Sequence, residues 1–329
     1  MKHICVIKLG ADGDVLRTLP LLKGIKRAHP ESHITWITKG DIATLLTLVK
    51  DIDVVARVPY HGLDTFDILY NADVEKEALD LAEHLHADVK YGYHDVDGFP
   101  VSYTTGGEYY LNTMFDDDLK KTNTKTYQEM IFATMELAHH TDYLGITLSQ
   151  DDKARAQTWA REHHVKTSTL IGLHMGASSR WPSKVWHPEC VKAFIRSAYE
   201  KGYTVLLFGG PGEQHTQTTL VEELNKEKIH VLRNDPLNSK RVFAGLLSLC
   251  KVIVSGDSLA LHLAVALRKP VVGLFFCTSP AEIESYGLVE KLVSPLLPDF
   301  FPERSDQYDE KLTRSIAPAE VLLAVEKHL

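Results

Sequence analysis

Short runs of β-branched and apolar residues alternate along this chain with stretches whose apolar residues recur at helical spacing, and the alternation begins twice. HICVI (3–7) is followed by VLRTLPLLKGIKRA (15–28), a helical pattern whose one blemish is Pro20. HITWIT (33–38) reads as a second strand and GDIATLLTLV (40–49) as a helix with Asp41 near its start. Apolar residues at 52, 54, 55, 56 and 58 suggest a third strand, FDILYNA (66–72) a fourth, and EKEALDLAEHLHA (75–87) the helix after it. Such alternation predicts an α/β fold with a doubly wound parallel sheet. Residues 97–126 break the rhythm with a Gly pair, a Tyr pair, three consecutive acids and then three lysines, and read as a loop excursion bordering a ligand cleft or as a solvated surface loop. YQEMIFATMELA (127–138) resumes as a helix.

After a charged helix, DDKARAQTWAREHHV (151–165), the pattern restarts with the strand TSTLIGLHMG (167–176). CVKAFIRSAYEKG (190–202), YTVLLFGG (203–210), a helix over about 213–227, IHVLRN (229–234) and the run 242–276 repeat the order of the first half. A chain of 329 residues has room for two such domains. The boundary falls near 150–167, giving Rossmann-like domains over 1–160 and 161–314. SIAPAEVLLAVEKHL (315–329) forms a closing amphipathic helix with Ser315 or Pro318 near its start.

Lys and Arg total 36 against 44 Asp and Glu, and the formal charge of −8 argues against broad electrostatic binding to nucleic acid. An anionic ligand must be met locally. Cys5, Cys190, Cys250 and Cys277 fall singly and read as small core residues of a reducing compartment. MKHICVIKLG is too short and too soon interrupted by Lys8 for a secretory leader, and no apolar run approaches roughly 18 residues. The expectation is a cytoplasmic protein able to touch a membrane surface. No metal site is expected, because His139-His140 and His163-His164 are adjacent pairs, and neighbours at i and i+1 do not face one another on a helix.

Three stretches carry chemistry. In KLGADGDVLRTLP (8–20), Asp14 stands where a strand turns into a helix. It either caps that helix or faces the crevice outside the strand's carboxyl end and takes a proton there. VIVSGDSLALHLAVALRKPVVGLF (252–275) reads as strand, tight Gly256-Asp257-Ser258 turn, helix, connection and strand, with a helix N-terminus suited to phosphate and a hydroxyl from Ser258. Asp257 would repel phosphate and fits an acceptor of sugar hydroxyls; His262 lies near the start of the helix. In GLHMGASSRWPSKVWHPE (172–189), Lys184 sits in a loop at a strand's carboxyl end, where an ammonium can neutralise a diphosphate. GGPGE (209–213) adds a third glycine turn on the same edge.

Together these stretches resemble glycosyltransferase family 9, the bacterial heptosyltransferases of lipopolysaccharide assembly. Gly13-Asp14-Val15, with Thr18 and Pro20 after it, matches the family's first loop, whose aspartate is regarded as the catalytic base. Gly176-Ala177 and Lys184, Trp186 and Glu189 match the middle motif, GGPGE matches fully, and Asp257, Ser258, His262, Leu263 and Ala264 match the last. The resemblance implies the GT-B fold, two Rossmann-like domains facing a central cleft, with a C-terminal helix packing back on the N-terminal domain. It also implies inverting, metal-independent transfer without a cofactor, from a nucleotide-sugar such as ADP-heptose. The implied acceptor is an anionic glycolipid, Kdo-lipid A or its heptosyl form, at the cytoplasmic face of the inner membrane. Donor contacts then fall to Lys184, Gly176, Ala177, Gly209, Gly210, Asp257, Ser258, His262 and Thr278.

For the acceptor's carboxylates and phosphates, the candidate cations are Arg17, one turn after Asp14, Lys8 nearby, and Arg57, His61, Lys120, Lys121 and Lys125 on later loops. The chain departs from the family at Leu259, usually glycine, at His174-Met175, commonly Asn-Pro, and at Phe276-Cys277, commonly Gly-Pro. These departures bear on the donor sugar and leave two alternatives: another nucleotide-sugar or acceptor, or a non-catalytic sugar-nucleotide binder. A nicotinamide dehydrogenase is disfavoured, since Gly10-Ala11-Asp12-Gly13-Asp14 lacks the GxGxxG order and its acids would repel a pyrophosphate.

Overall fold

The computed structural model describes residues 1–62, 65–178 and 180–329. They form two compact units, Met1–Thr147 with Ala281–Tyr286, and Leu148–Pro280 with Gly287–Leu329. The division at 147/148 precedes the expected 160/161, because the helix Gln150–Glu162 packs on the helix Lys240–Leu249 of the second unit.

The first unit is built on β1 (Lys2–Ile7), β2 (Ser32–Thr38), β3 (Val54–Arg57), β4 (Thr65–Asn71), β5 (His86–Val96) and β6 (Phe99–Ser102), in the order β3-β2-β1-β4-β5-β6. All pairs are parallel except β5–β6. Ile4, Cys5, Val6 and Ile7 of the central strand are fully buried, as a strand covered on both faces requires. The strand order reverses between β1 and β4, and ligand crevices open beyond the carboxyl ends of strands at such a reversal. The unanticipated β5 carries charged residues at 88, 90 and 95, which blur its strand pattern. The 97–126 excursion is a hairpin turning at Asp97-Gly98, both at positive φ, followed by the helices Glu108–Asn112 and Asp117–Thr122. The helix after β1 starts at Asp12 and is broken at Pro20 into Asp12–Thr18 and Leu21–Ala28.

The second unit repeats the plan with β7 (Leu170–His174), β8 (Thr204–Phe208), β9 (Leu232–Arg233), β10 (Val252–Gly256), β11 (Val271–Phe275) and β12 (Val289–Val293). The order is β12-β11-β10-β7-β8-β9, all parallel, and the reversal lies between β7 and β10. The C-terminal helix Pro318–Glu326, expected on the first domain, belongs instead to this unit. Val321 and Val325 are fully buried in its core against the helix Pro188–Glu200, and Trp186 Nε1 donates to the Ile316 carbonyl at 3.1 Å. The segment that joins the first unit is Ala281–Tyr286, where the Glu282 carbonyl accepts from the Tyr127 N–H at 2.9 Å. Among the described residues no helix is long and apolar enough to cross a membrane, and Cys5, Cys190, Cys250 and Cys277 are all buried.

Candidate functional site

At the first reversal, Asp73, two residues past β4, fastens the loop leaving β1. Its Oδ2 accepts the N–H groups of Leu9 at 2.9 Å and Gly10 at 2.6 Å. A Cβ on Gly10 would stand 3.1 Å from that oxygen, so glycine allows the close approach. The Lys8 ammonium is buried, donates to the Ala72 carbonyl at 3.0 Å and lies 3.5 Å from Asp73. Burial disfavours its charge, but Tyr127, Asp73 and Asp14 outweigh burial and leave its pKa above the ordinary lysine value. Lys8 is therefore scaffold, because a side chain fixed in this way does not reach out to an acceptor.

The loop so held starts the helix Asp12–Thr18 with Ala11 as its N-cap residue. Asp14 falls in the first turn rather than at the cap, with its side chain 35% exposed. Arg17 Nε lies 2.9 Å from Asp14 Oδ1, an ionic contact without the alignment of a hydrogen bond, and Arg17 Nη1 lies 3.8 Å from Glu282. The guanidinium also covers the Tyr127 ring, 4.0 Å from its centroid. Burial opposes its charge, and Asp14, Tyr110, Tyr127 and Glu282 more than compensate. Arg17 is thus turned inward to the Asp14 carboxylate, not outward as an acceptor cation. The Tyr127 hydroxyl meets Thr18 Oγ1 at 2.6 Å, and Thr18 Oγ1 donates to the Asp14 carbonyl at 2.6 Å, so the helix turn bearing Asp14 is tied from both sides.

The other acceptor candidates do not join this group. Arg57 ends β3 at one edge of the sheet. Lys120 and Lys125 follow β6 at the other edge, where Lys125 is exposed with its ammonium 3.9 Å from the Tyr109 ring centroid. His61 and Lys121 are exposed as well.

At the second reversal the turn 181–184 presses on the end of β10. A Cβ on Gly256 would stand 2.5 Å from the Lys184 carbonyl oxygen, so only glycine permits that contact. Lys184 Nζ is thereby set 3.0 Å from Asp257 Oδ2, and His262 Nε2 lies 3.4 Å from Oδ1 of the same carboxylate. Asp257, read as an acceptor for sugar hydroxyls, is engaged by both. Ser258 caps the helix Leu259–Ala266, its Oγ accepting the Ala260 N–H at 3.3 Å, and meets Ser255 Oγ at 2.9 Å and His174 Nδ1 at 3.2 Å. Burial, with help from Lys240, pushes the His174 pKa down to about 4, so its imidazole is neutral at pH 7.

Glu213 links the remaining glycines. Its Oε2 accepts the Gly210 N–H at 2.8 Å, and a Cβ on Gly176 would stand 3.0 Å from its carboxylate. Gly209 is braced by Asn234, which accepts its N–H at 3.0 Å and donates to its carbonyl at 3.1 Å. Ala177 and Thr278 are half-buried on the loops leaving β7 and β11. Every donor candidate therefore lies beyond a strand's carboxyl end. Of the family departures, Phe276 and Cys277 are buried in the core, whereas His174 faces Ser258. Leu259 is the first residue of the capped helix.

Asp73, Tyr127, Glu282 and Asn234 carry much of this geometry without having been singled out in the sequence. Asp73 alone had a local signal, an acid directly after the strand that becomes the partner of β1. Among the described residues no three His, Cys, Asp or Glu side chains are grouped to hold a metal ion.

A family model described as glycosyltransferase family 9 (heptosyltransferase) matches residues 102–298. Lipopolysaccharide heptosyltransferase 2 of Escherichia coli is 33% identical over 110 residues, 33% of this chain and 30% of that protein's length. A glycosyl transferase family 9 structure from Veillonella parvula superposes with a TM-score of 0.80 at 20% identity, covering 99% of this chain and 96% of the other. The E. coli ADP-heptose lipopolysaccharide heptosyltransferase II superposes with a TM-score of 0.72 at 19% identity, covering 99% and 98%.

Proposed function

Since the chain belongs to glycosyltransferase family 9, we propose that it moves a heptose from ADP-heptose, with inversion, onto the inner core of lipopolysaccharide. Membership makes it a glycosyltransferase with the GT-B fold; donor, acceptor and stereochemistry are the further reading. The observation that carries this reading is Lys184 set 3.0 Å from Asp257 beside the capped start of the helix Leu259–Ala266. An ammonium, a serine hydroxyl and the positive end of a helix together suit a nucleoside diphosphate.

Asp14 is the general base. It takes the proton of the acceptor hydroxyl as that oxygen attacks the anomeric carbon, and the bond from that carbon to the diphosphate oxygen breaks with its electron pair leaving on the nucleotide. Lys184 gains a partner as charge builds on the diphosphate, which replaces Asp257 beside the ammonium. Asp257, with His262, then faces hydroxyls of the ribose or the sugar, while Gly176, Ala177, Gly209, Gly210 and Thr278 shape the loops around the nucleotide. Arg17 orients Asp14, and the acceptor's anionic groups are left to Arg57, Lys120 and Lys125. A lipid-borne acceptor puts the enzyme at the cytoplasmic face of the inner membrane as a peripheral protein.

The test is transfer from a panel of ADP-, UDP- and GDP-sugars to Kdo-lipid A and heptosyl-Kdo-lipid A, followed by mass spectrometry. The reading expects a heptose mass added only with ADP-heptose. Transfer from another nucleotide-sugar overturns the donor assignment, and nucleotide binding without any transfer overturns the enzymatic one.

A further inference from the structure

The second unit carries a basic groove at the opposite ends of its strands from the loops described above. Thr167 and Ser168 precede β7, Lys251 precedes β10 and Lys269 precedes β11, three strands that lie side by side. With Arg161 and Ser248 they line a cavity of about 750 Å³. A five-residue strand spans roughly 16 Å, so this groove is separate from the Lys184–Asp257 end.

Its lining holds three side-chain cations and no carboxylate, in a chain whose formal charge is −8. Neither Lys251 nor Lys269 has an ion-pair partner among the described residues. Arg161 makes only a 3.0 Å hydrogen bond to Thr158, three residues earlier on its own helix. Burial lowers the pKa of the Lys269 ammonium and Lys251 adds to the effect, so two like charges are held together without a counter-ion. Val165 and Leu249 give the cavity an apolar wall, and the three hydroxyls supply donors beside the cations. Such a volume is that of a small-ligand site.

We propose that this groove binds a phosphate-bearing anion, with Lys251, Lys269 and Arg161 pairing its charge and Thr167, Ser168 and Ser248 donating to its oxygens. A free polyphosphate and a phospholipid headgroup offer the same chemistry. The site is independent of the donor assignment, since it uses none of the same residues.

Two probes separate the sources. Inorganic pyrophosphate is titrated calorimetrically into the whole protein, and flotation is measured with phosphatidylglycerol against phosphatidylcholine vesicles. Both are repeated with K251A/K269A, with K251R and with K184A. The proposal expects the double variant to lose pyrophosphate or phosphatidylglycerol binding by roughly tenfold or more, the cost of removing charge-assisted hydrogen bonds. K251R should retain binding, which guards against a folding defect in the alanine variant, and in K184A, which weakens the proposed donor-diphosphate site, the binding that K251A/K269A removes should persist. Loss confined to pyrophosphate identifies a free anion, and loss on vesicles identifies a headgroup. Absence of binding to either probe overturns the site, as does binding that K184A abolishes and K251A/K269A leaves intact.

Discussion

Arg17 reaches back one helical turn to Asp14, Nε to Oδ1 at 2.9 Å, while its guanidinium lies 4.0 Å from the centroid of the Tyr127 ring. A side chain placed this way acts on chemistry through the carboxylate it holds. Arg17→Met should lower kcat by roughly tenfold or more through loss of that orientation and leave the acceptor KM nearly unchanged, with partial rescue by Arg17→Lys. Steady-state kinetics at varied acceptor concentration reads the split. A raised KM at constant kcat would return Arg17 to the acceptor-binding cations.

Asp73 concerns stability rather than rate. Asp73→Ala removes the acceptor of three N–H groups, those of Leu9, Gly10 and Glu75, and the carboxylate beside the buried Lys8 ammonium. Stranding a buried charge costs about 3–5 kcal/mol, measurable as a shift in the denaturant midpoint. A shift below about 1 kcal/mol would show that water or another group takes over.

The contrast between Asp73 and Asp14 shows what the sequence made legible. Asp14, in the first turn of a helix, and Lys184, Asp257 and Ser258, in or beside loops, are bounded by clear strand and helix patterns, so their places follow from periodicity and the loops' glycines. Asp73, Tyr127 and Glu282 meet that loop only after 60 to more than 250 residues of intervening chain have folded, and no local pattern announces such contacts. β5 is hidden in the sequence because its charged positions interrupt the alternation, and the hairpin it forms with β6 carries no regular pattern of its own. The C-terminal helix had the right pattern, but amphipathicity alone does not say which core receives the apolar face.

His174 gives a pH dependence. Its pKa is about 4 in the fold, against an ordinary value near 6.5, so the unfolded chain binds the extra proton between those values. Its contribution is complete above about pH 6.5 and is lost as the pH falls toward 4, on the order of 1–3 kcal/mol for a half-buried ring. His174→Gln should flatten the fall in stability over that window relative to the unsubstituted protein. Parallel pH curves for the two proteins would contradict the assignment.

Lys184 is paired with Asp257 and is the cation proposed to meet the donor's diphosphate. Lys184→Ala should weaken nucleotide binding and slow turnover together, by roughly 10–100-fold each if a charge-assisted contact of about 1.5–3 kcal/mol is lost. With Lys184 proposed to take the leaving group's charge, turnover should withstand EDTA. Activity abolished by EDTA and restored by magnesium would contradict that arrangement.

The proposed general-base role of Asp14 is tested by the kcat of Asp14→Asn with donor and acceptor saturating, on protein whose thermal midpoint matches the unsubstituted chain. General-base assistance is worth roughly 10²–10⁴-fold, and the variant should lose about that much while still binding nucleotide, with Asp12→Asn as the control that retains turnover. An Asp14→Asn enzyme within about threefold of the original kcat would contradict the assignment.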